Sequence, residues 1–524
     1  MEFNLADLFE IVADRVPDRV ALVAGDRRLT YAELDARANR LAHALAARGV
    51  RPGDWVGIHA HNRAEWMESF LGCFKARVVP INVNYRYVAE ELGYLFDNAD
   101  LVALIYEADF GPRVEEVIGG LPKLQTLLRL DDGTGTTDTL ASVGYEAALE
   151  AASPERDFGA RSPDDLYVLY TGGTTGMPKG VMWRGEDIFF AALGGGNYGG
   201  EPISAPERIV DNIGEAQLCT MALAPLMHGN AQWTSMVTLF GGGKLVLNTQ
   251  RKMDPAALWQ LCDDEGINTV SIVGDAMARP LVDALADRPA PASVFAFVSG
   301  GAILSPTIKA EFAKRMPNAM VLDSFGASET GANGSVDVTA EGPKFRMNES
   351  TTVIGDDLEV VAVGEVGMLA RRGHVPLGYY KDDAKSAATF VTAPDGTRWA
   401  IPGDKAVREA DGTITVLGRG SQCINSGGEK IFPEEVEAAL KSHAAVFDAT
   451  VVGRADERWG EHVCALVQFR DEQTATLDEL ADHCRGHIAG YKVPRSLVVV
   501  DEMVRSPSGK PDYRWAKELA ATSA

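Results

Sequence analysis

The sequence predicts an α/β fold in which a large N-terminal domain, with parallel sheets and a β-rich subdomain, precedes a small α+β C-terminal domain. Three observations support this prediction. The chain has 524 residues, more than one hydrophobic core usually supports. Helix-like and strand-like patterns alternate to about residue 320, which is typical of parallel sheets. Shorter strands with glycine turns follow, and then a compact unit of helix and strand patterns.

The first clear helix is TYAELDARANRLAHALAARG. Thr30 and Glu33 match a capping box, apolar residues from Leu34 to Leu45 form one stripe, and Gly49 marks the end. The runs WVGIHA and RVVPINV are apolar and β-branched, and they predict the strands that follow.

A glycine-rich stretch, YTGGTTGMPKG, runs from Tyr170 to Gly180. Strand-like LYVLY precedes it and GVMW follows, so we expect a flap between two strands. Backbone N–H groups, threonine hydroxyls and an ammonium suit the oxygens of a polyphosphate. The stretch is not a Walker motif, because Met177 and Pro178 separate Gly176 from Lys179. The alternative is a surface loop without a ligand.

A second glycine-rich stretch, GGGNYG, matches GxGxxG by its letters at Gly194–Gly199. It follows the helix-like EDIFFAAL instead of a strand, and no helix pattern comes after it. A dinucleotide fingerprint requires both neighbours, so we do not interpret this stretch as one.

The C-terminal part begins, in this interpretation, near Leu417 to Ser421, which divides the chain into residues 1–418 and 419–524. The runs GEVGMLARRGHVPLGYY and DGTITVLGRG predict the β-rich subdomain before it. PEEVEAALKSH predicts a helix that starts at Pro433 with acidic residues in its first turn. ATVVG, VCALVQF and SLVVVDE predict three strands after that helix.

The overall composition limits the possible partners. A formal charge of -24 and a pI of about 4.8 argue against nucleic acid or an anionic membrane as the main partner. Six scattered cysteines without a CxxC pair are expected to be reduced thiols. The acidic start MEFNLADLFE and the lack of an apolar run of about 18 residues predict a cytoplasmic protein with no integral membrane association.

Six stretches, in this order along the chain, resemble the signature motifs of the adenylate-forming superfamily. They are YTGGTTGMPKG, FGASET, GEVGMLARRGHVPLGYY, PGD, GRGSQCINSGGEKIFPEEVE and RSPSGK. The superfamily includes acyl-CoA synthetases, stand-alone adenylation domains and luciferases, and the resemblance covers nearly the whole chain. It implies that a carboxylate attacks the α-phosphate of ATP, which gives an acyl-adenylate and releases pyrophosphate.

The resemblance also assigns roles to residues. The phosphates of ATP would be held by Thr171, Gly172, Gly173, Thr174, Thr175, Gly176 and Lys179, with Thr174 also acting in catalysis. The rest of the nucleotide would be bound by Gly300, Gly301, Ala302, Asp323, Ser324, Phe325, Gly326, Ala327, Ser328, Asp404 and Arg419. Glu329 would bind Mg²⁺, since a hard carboxylate oxygen suits a hard cation. Without the resemblance, Glu329, Asp404 and Arg419 would be interpreted as ordinary surface residues.

Lys510 and His228 are the remaining catalytic candidates. By resemblance, the Lys510 ammonium neutralises charge shared by the substrate carboxylate and the α-phosphate, so its loss should damage adenylation far more than thioester formation. On composition alone it would be an ordinary solvated lysine. His228, in APLMHGN, would border the acyl pocket and the tunnel for CoA, although a lone histidine more often serves packing.

The second half-reaction transfers the acyl group to a thiol supplied by CoA. In the superfamily the small domain is mobile: it rotates between the two half-reactions, withdraws the lysine and presents a glycine loop to the pantetheine tunnel. Ser426, Gly427 and Gly428 match that loop.

Several positions depart from the usual motifs. Gly172 replaces a serine, Phe325 a tyrosine, Ser328 a threonine and Pro402 a threonine, while Ser421 stands at a hinge position that is commonly aspartate or lysine. Together with VMWRGEDIF, GDAMARPLVDAL and GYKVPRSLVVVDE, these departures resemble actinobacterial acyl-CoA synthetases that act on steroid side chains and related long or bulky hydrophobic acids.

The sequence thus predicts a carboxylate–CoA ligase that uses ATP, Mg²⁺ and CoA and produces AMP and pyrophosphate. Its acid would be hydrophobic, a steroid side chain or a medium- or long-chain fatty acid, and selected by residues 201–217 and 231–240. One methylene is worth only about 1–3 kcal/mol in such a pocket, so the chain length stays open. The alternatives are an enzyme that loads a carrier-protein thiol and a catalytically silent nucleotide-binding protein. A homodimer is compatible with the sequence, which does not decide the oligomeric state.

Overall fold

The computed structural model describes residues 2–173, 176–302, 304–339, 342–419, 422–426, 429–456, 460–506 and 509–523. It confirms the predicted α/β fold. The helices are α1 (Leu5–Arg15), α2 (Tyr31–Ala46), α3 (Ala64–Lys75), α4 (Ala89–Asn98), α5 (Gly111–Ile118), α6 (Tyr145–Glu150), α7 (Gly185–Ala192), α8 (Gly229–Phe240), α9 (Pro255–Glu265), α10 (Gly274–Ala284), α11 (Pro306–Arg315), α12 (Asp383–Thr389), α13 (Pro433–Lys441), α14 (Leu477–Arg485) and α15 (Tyr513–Thr522).

The strands alternate with helices in the first two thirds of the chain and dominate afterwards. They are β1 (Val20–Ala24), β2 (Arg27–Thr30), β3 (Trp55–His59), β4 (Val79–Asn82), β5 (Leu101–Glu107), β6 (Thr126–Leu130), β7 (Val143–Gly144), β8 (Leu166–Gly173), β9 (Gly176–Arg184), β10 (Cys219–Ala222), β11 (Lys244–Leu247), β12 (Thr269–Ile272), β13 (Ala296–Gly300), β14 (Met320–Ala327), β15 (Gly331–Thr339), β16 (Gly342–Met347), β17 (Thr351–Ile354), β18 (Val366–Arg372), β19 (Gly378–Tyr379), β20 (Phe390–Thr392), β21 (Arg398–Ala400), β22 (Asp404–Arg408), β23 (Ile414–Arg419), β24 (Ile424–Ser426), β25 (Glu429–Ile431), β26 (Val446–Asp456), β27 (Gly460–Phe469) and β28 (Ser496–Val499).

Three sheets are built from the chain up to Arg419. The large sheet is parallel through β1-β11-β10-β12-β13-β14. It continues as the antiparallel order β15-β16-β23-β22-β18-β21-β20, with β17 beside β18, which forms the predicted β-rich subdomain. A five-stranded parallel sheet has the order β4-β3-β5-β6-β7. An antiparallel hairpin sheet, β19-β9-β8, carries the glycine-rich stretch.

A fourth sheet, of order β25-β24-β27-β26 with β28 beside β27, forms the C-terminal unit (residues 422–523) together with α13, α14 and α15. β23 ends in the large sheet at Arg419, and β24 begins in this fourth sheet at Ile424. The chain therefore changes sheets close to the expected boundary at 418/419, and that division into two domains stays a prediction.

Local sequence signals explain where the helices start. The Glu33 N–H donates to the Thr30 hydroxyl at 3.2 Å, and the Glu33 carboxylate accepts from the Thr30 N–H at 2.8 Å, which completes the predicted capping box of α2. The apolar stripe of this helix is buried and includes Leu34, Ala38 and Leu41. Pro433 opens α13, as predicted.

The structure also describes the cysteines and the apolar character of the helices. All six cysteines, which lie within the described ranges, are free, and five of them are buried. Burial raises the pKa of the Cys219 thiol to about 11, so this thiol is protonated at neutral pH. Among the described residues, no helix is both long and apolar enough to cross a membrane.

Candidate active site

The glycine-rich stretch forms the turn of the β8–β9 hairpin, as predicted for a flap between two strands. Thr171 pairs with Lys179, and Gly173 pairs with Gly176. Thr174 and Thr175 lie outside the described residues, so their expected contact with phosphate stays a prediction. The described backbone brings Lys179 and Thr171 to the same end of the hairpin.

Asn82, at the carboxyl end of β4, fixes the base of this hairpin. Its Oδ1 accepts from the Tyr170 N–H at 2.8 Å, and its Nδ2 donates to the Tyr170 carbonyl at 2.8 Å and to the Met227 carbonyl at 2.7 Å. One amide therefore joins the five-stranded sheet, the hairpin sheet and the segment that leads into α8. Sequence analysis did not single out Asn82.

The Lys179 ammonium forms an ion pair with Asp382, which caps α12 by accepting from the Lys385 N–H at 2.9 Å. The hydrogen bond from Lys179 lowers the pKa of the Asp382 carboxyl. Both side chains are partly exposed, so a phosphate can compete for the lysine. Asp382 is a further site residue that the sequence analysis missed, because 203 residues separate the two partners.

Glu329 lies in the turn between β14 and β15 and faces the hairpin sheet. The Tyr379 hydroxyl donates to its Oε1 at 2.8 Å, and β19, which contains Tyr379, pairs with β9. The Ser328 carbonyl accepts from Nε1 of Trp183 in β9 at 3.0 Å. These contacts hold the expected Mg²⁺ ligand beside the glycine hairpin, and a carboxylate oxygen fits the preference of Mg²⁺ for hard donors.

The expected nucleotide-binding strand β14 pairs with β13 in parallel, so Ser324 lies beside Gly300. Gly301 has φ +91°, which favours glycine, and the Ala302 carbonyl accepts from the Ser299 hydroxyl at 3.4 Å. Asp323 is buried; its Oδ2 accepts from the Leu304 N–H at 3.1 Å. The same oxygen lies 3.1 Å from the Lys309 ammonium. In this arrangement the Asp323 carboxylate supports the loop after Gly301.

The residues that end β14 are closely packed. A Cβ at Gly326 would lie 2.4 Å from the Gly331 carbonyl oxygen, so only glycine fits there. Ala327 pairs with Gly331 across the turn. The ring of Phe325 packs edge-on against Phe345 with centroids 5.0 Å apart, which accounts for a side chain without a hydroxyl at this position.

Asp404 and Arg419, two of the residues expected to bind the nucleotide, are direct partners in the β22–β23 ladder. Asp404 is buried, and the side chain of Arg419 lies outside the described part. Ser426 ends β24, where it pairs with Glu429 and Gly460 in the C-terminal unit, while Gly427 and Gly428 are outside the described residues. The structure thus groups Asp404 with Arg419 and places Ser426 in a different sheet.

His228 precedes α8 at the end of the segment fixed by Asn82. Burial, together with the nearby charges of Lys510 and Arg86, lowers the pKa of His228 to about 3. Its Nε2 is buried and has no hydrogen-bond partner among the described residues. A neutral imidazole with an open nitrogen therefore lies beside the expected catalytic lysine.

The turn that carries Lys510 packs against the large sheet, next to the end of β12. A Cβ at Gly509 would lie 3.0 Å from Cγ1 of Val273, just before α10, so the turn contacts that residue directly. Lys510 is the only member of the expected catalytic set that comes from the C-terminal unit. The two lysines thus come from different parts of the chain, Lys179 from β9 and Lys510 from a turn of the C-terminal unit.

The wall next to His228 is formed by α8 and is tied to the hairpin. The buried Tyr167 hydroxyl of β8 donates to Oε1 of Gln232 at 2.7 Å and accepts from Nε1 of Trp233 at 3.1 Å. Ala231 and Phe240 of the same helix are buried in the main core with Ile203. Residues of both segments expected to select the acid thus belong to the same hydrophobic cluster.

Comparison with known families identifies the chain. The sequence profile described as AMP-binding enzyme matches residues 9–380, and the profile described as AMP-binding enzyme C-terminal domain matches residues 435–510. The chain belongs to the AMP-binding enzyme family. The predicted resemblance to adenylate-forming enzymes is thereby confirmed.

Relatives of this AMP-binding enzyme match it over nearly its full length. A 3-oxocholest-4-en-26-oate–CoA ligase of Rhodococcus rhodochrous is 49% identical, with 99% of this chain and 96% of the relative covered. A medium/long-chain-fatty-acid–CoA/3-oxocholest-4-en-26-oate–CoA ligase of Mycolicibacterium smegmatis is 47% identical, with 99% and 97% covered. The solved structure of the anthranilate CoA ligase AuaEII in complex with anthranoyl-AMP has a TM-score of 0.86 at 23% identity, with 99% and 98% covered, and shows the same fold.

Proposed function

We propose that this AMP-binding enzyme is a carboxylate–CoA ligase that forms an acyl-adenylate from ATP and a hydrophobic acid and then transfers the acyl group to CoA. The observation that carries the proposal is that the turn of Lys510 lies against Val273 and that the Lys510 charge is close enough to lower the pKa of His228. Such a site presents one ammonium where a carboxylate oxygen attacks the α-phosphorus and pyrophosphate leaves.

The chain's own groups supply electrostatic stabilisation in this first step. The donors of the hairpin and Lys179 hold the β- and γ-phosphates, while Lys510 balances the charge that develops between the two anionic reactants. Donors aimed in advance at developing charge usually make the largest catalytic contribution. Mg²⁺, held by Glu329, would supply further charge neutralisation on the phosphates, and Asp404 would accept the ribose hydroxyls.

His228 contributes as a neutral group. Since its pKa is about 3, the imidazole carries no charge at neutral pH and does not act as a cationic anchor for the acid. In the proposed second step the CoA sulfur attacks the acyl carbon and AMP leaves. In that step a neutral nitrogen in the tunnel can accept a hydrogen bond from the CoA thiol.

The substrate class is a steroid side-chain acid or a medium- or long-chain fatty acid. The two relatives described above carry those acids in their names and match this chain throughout its length. The helix α8, which begins directly after His228, contributes Ala231 and Phe240 to a hydrophobic cluster, and apolar surroundings suit a hydrophobic acyl group. ATP and CoA are cytoplasmic metabolites, so the proposed activity belongs in the cytoplasm.

The test is to incubate the purified protein with ATP, Mg²⁺ and CoA against acids from acetate through long fatty acids to cholestenoic and cholanic acids. Mass spectrometry follows the acyl-CoA products, and chromatography separates AMP from ADP. We expect AMP with thioesters of the hydrophobic acids. Adenylate without thioester would favour a carrier-protein acceptor, and no turnover would favour a silent nucleotide-binding protein. Light scattering on the same sample would decide whether the enzyme is a monomer or the homodimer that the sequence allows.

A further inference from the structure

We infer that Arg505, clamped by Asp448, is the positioning residue that holds Lys510 in the cleft for adenylate formation. This inference rests on the proposed function, because it concerns the first half-reaction of the same site. It assigns a task to an ion pair that lies inside the C-terminal unit. Neither partner is among the residues expected to touch substrate.

The pair is bidentate and almost completely buried. Arg505 Nε donates to Asp448 Oδ2 at 2.6 Å and Arg505 Nη2 donates to Asp448 Oδ1 at 2.5 Å. The two side chains are only 12% and 9% exposed. Asp448 is itself fixed in β26, because its Oδ1 also accepts from the Ala449 N–H at 2.8 Å. A planar guanidinium held in this way has one orientation.

The third guanidinium nitrogen of Arg505 bonds to the turn that carries Lys510. Arg505 Nη1 donates to the Gly509 carbonyl at 3.0 Å, on the residue that precedes Lys510. The same turn is closed by the Ser506 N–H, which donates to the Lys510 carbonyl at 2.8 Å, and by the Gly509 N–H, which donates to the Ser506 carbonyl at 2.8 Å. Strand β26 of the C-terminal unit is thus connected through the Arg505 side chain to the peptide that carries the lysine.

The other side of the turn is set by the partner surface. Gly509 has φ +73° and lies against Val273, so the turn is confined between that residue and the Arg505 guanidinium. On the same interface, Lys441 of α13 lies 3.9 Å from Asp275 of α10. Through Arg505, the position of Lys510 therefore depends on how the C-terminal unit packs against α10. A displacement of about 1 Å at a catalytic group can cost about 10²-fold in rate.

The experiment compares the two half-reactions in Arg505→Met, Arg505→Lys and Asp448→Asn. Adenylation is measured as acid-dependent exchange of labelled pyrophosphate into ATP, and thioester formation is measured with a synthetic acyl-adenylate and CoA. We expect Arg505→Met to lower the adenylation kcat by about 10²-fold with KM for ATP and acid within about threefold. Arg505→Lys keeps the positive charge but not the planar guanidinium that binds the carboxylate through two nitrogens, and we expect about a tenfold loss of adenylation kcat. Thioester formation should stay within about threefold of the parent in each variant.

A double-mutant cycle separates positioning from simple damage to the fold. If Arg505 acts through Lys510, adding Arg505→Met to Lys510→Ala should cost less than about threefold more. Arg514→Met is the matched control, because Arg514 is 85% exposed and pairs only with its helix neighbour Glu518 at 3.2 Å among the described residues. The control should leave both half-reactions unchanged.

The outcomes are distinguishable from those that test the proposed function. A parent enzyme that forms no acyl-adenylate overturns the proposed function itself. An active parent with Arg505 variants that retain full adenylation overturns only this inference. Equal losses in both half-reactions, or an undiminished effect of Arg505→Met in the Lys510→Ala background, would show a general structural role and also overturn it. If Arg505→Met does not fold, the same comparison of half-reactions and the same double-mutant cycle with Lys510→Ala are made with Arg505→Lys.

Discussion

Lys179 lies in β9 of the glycine-rich hairpin and Lys510 lies on a glycine-containing turn of the C-terminal unit, and different contacts hold the two segments. The hairpin of Lys179 is fixed by strand pairing and by the uncharged Asn82 amide. The turn of Lys510 is held by a buried ion pair and is seated on Val273, which belongs to another part of the chain. The position of Lys179 is set by the sheet to which it belongs, whereas the position of Lys510 depends on how the C-terminal unit packs against the large sheet. This difference suits a reaction in which only one of the two half-reactions needs both.

The strongest test of the comparison is Lys510→Ala. Removing a donor aimed at developing charge costs about 10²–10³-fold in kcat. We expect a loss of that size in pyrophosphate exchange, while the synthetic adenylate is still converted to acyl-CoA at close to the parent rate. Similar losses of rate in both assays would mean that Lys510 is not specific to the first half-reaction.

Lys179→Met should have a smaller effect that appears in ATP binding. A charge-assisted hydrogen bond contributes about 1.5–3 kcal/mol, which corresponds to about 10–100-fold in kcat/KM for ATP. Thioester formation from the adenylate has no β- or γ-phosphate and should be unaffected. Lys123→Met serves as the control, because Lys123 is 65% exposed and pairs with Asp100 at the surface. An unchanged kcat/KM for ATP would remove Lys179 from the phosphate site.

Tyr379→Phe tests the contact that ties Glu329 to the hairpin side. Loss of a hydrogen bond to a metal ligand typically weakens metal binding by about 10–100-fold, and we expect the lower end here. The Mg²⁺ concentration for half-maximal adenylation should rise while the maximal rate changes little. Tyr380→Phe is matched, since its hydroxyl donates to Asp100 at 2.8 Å instead. Equal Mg²⁺ curves for both variants would contradict the role of Tyr379.

The smallest expected effect concerns the C-terminal side, at Glu434 of α13. Its Oε2 is buried without a hydrogen-bond partner among the described residues, and burial, followed by the charges of Glu437 and Asp404, raises its pKa to about 8. A raised pKa means that the folded state favours the protonated form, so the stability it contributes is present at low pH and is lost as the pH rises toward and through 8.

Glu434→Gln should therefore stabilise the protein at pH 8.5 by about 1–3 kcal/mol, the cost of a buried group without a partner, and change little at pH 5. Unfolding in urea at the two pH values measures the difference. Glu518→Gln, at an exposed helix pair, is the control. A stabilisation that is equal at both pH values would contradict the assignment of a raised pKa.

Local patterns in the sequence were sufficient for much of the fold. The capping box at Thr30, the hairpin at 170–180 and the start of α13 at Pro433 all depend on neighbours within a few positions, and the structure confirms each of them. The context of the GGGNYG stretch agrees with the sequence pattern, because the stretch follows α7 and begins as a short 3-10 helix at Gly194–Gly196.

The contacts that position the lysines could not be predicted in the same way. Asp382 and Lys179 are 203 residues apart, and Arg505 and Asp448 are 57 apart. Each is an ordinary charged residue by composition, and only the folded sheets bring the partners together. Arg505 was inside a recognised motif, yet the motif gave no reason to connect it with β26. The expected roles of Thr174, Thr175, Gly427 and Gly428 stay predictions.

Asn82 gives the cleft a property that concerns ionic strength. An amide carries no charge, so salt does not screen its bonds to Tyr170 and Met227, and the hairpin and the His228 segment keep their relative position. The C-terminal unit instead approaches α10 through charged pairs, Lys441 with Asp275 at 3.9 Å and Arg470 with Asp283 at 3.8 Å. At physiological salt, charges are screened over about 8 Å, and added salt shortens that range further. A change of salt is therefore expected to affect the approach of the C-terminal unit that carries Lys510 more than the backbone of the hairpin that carries Lys179.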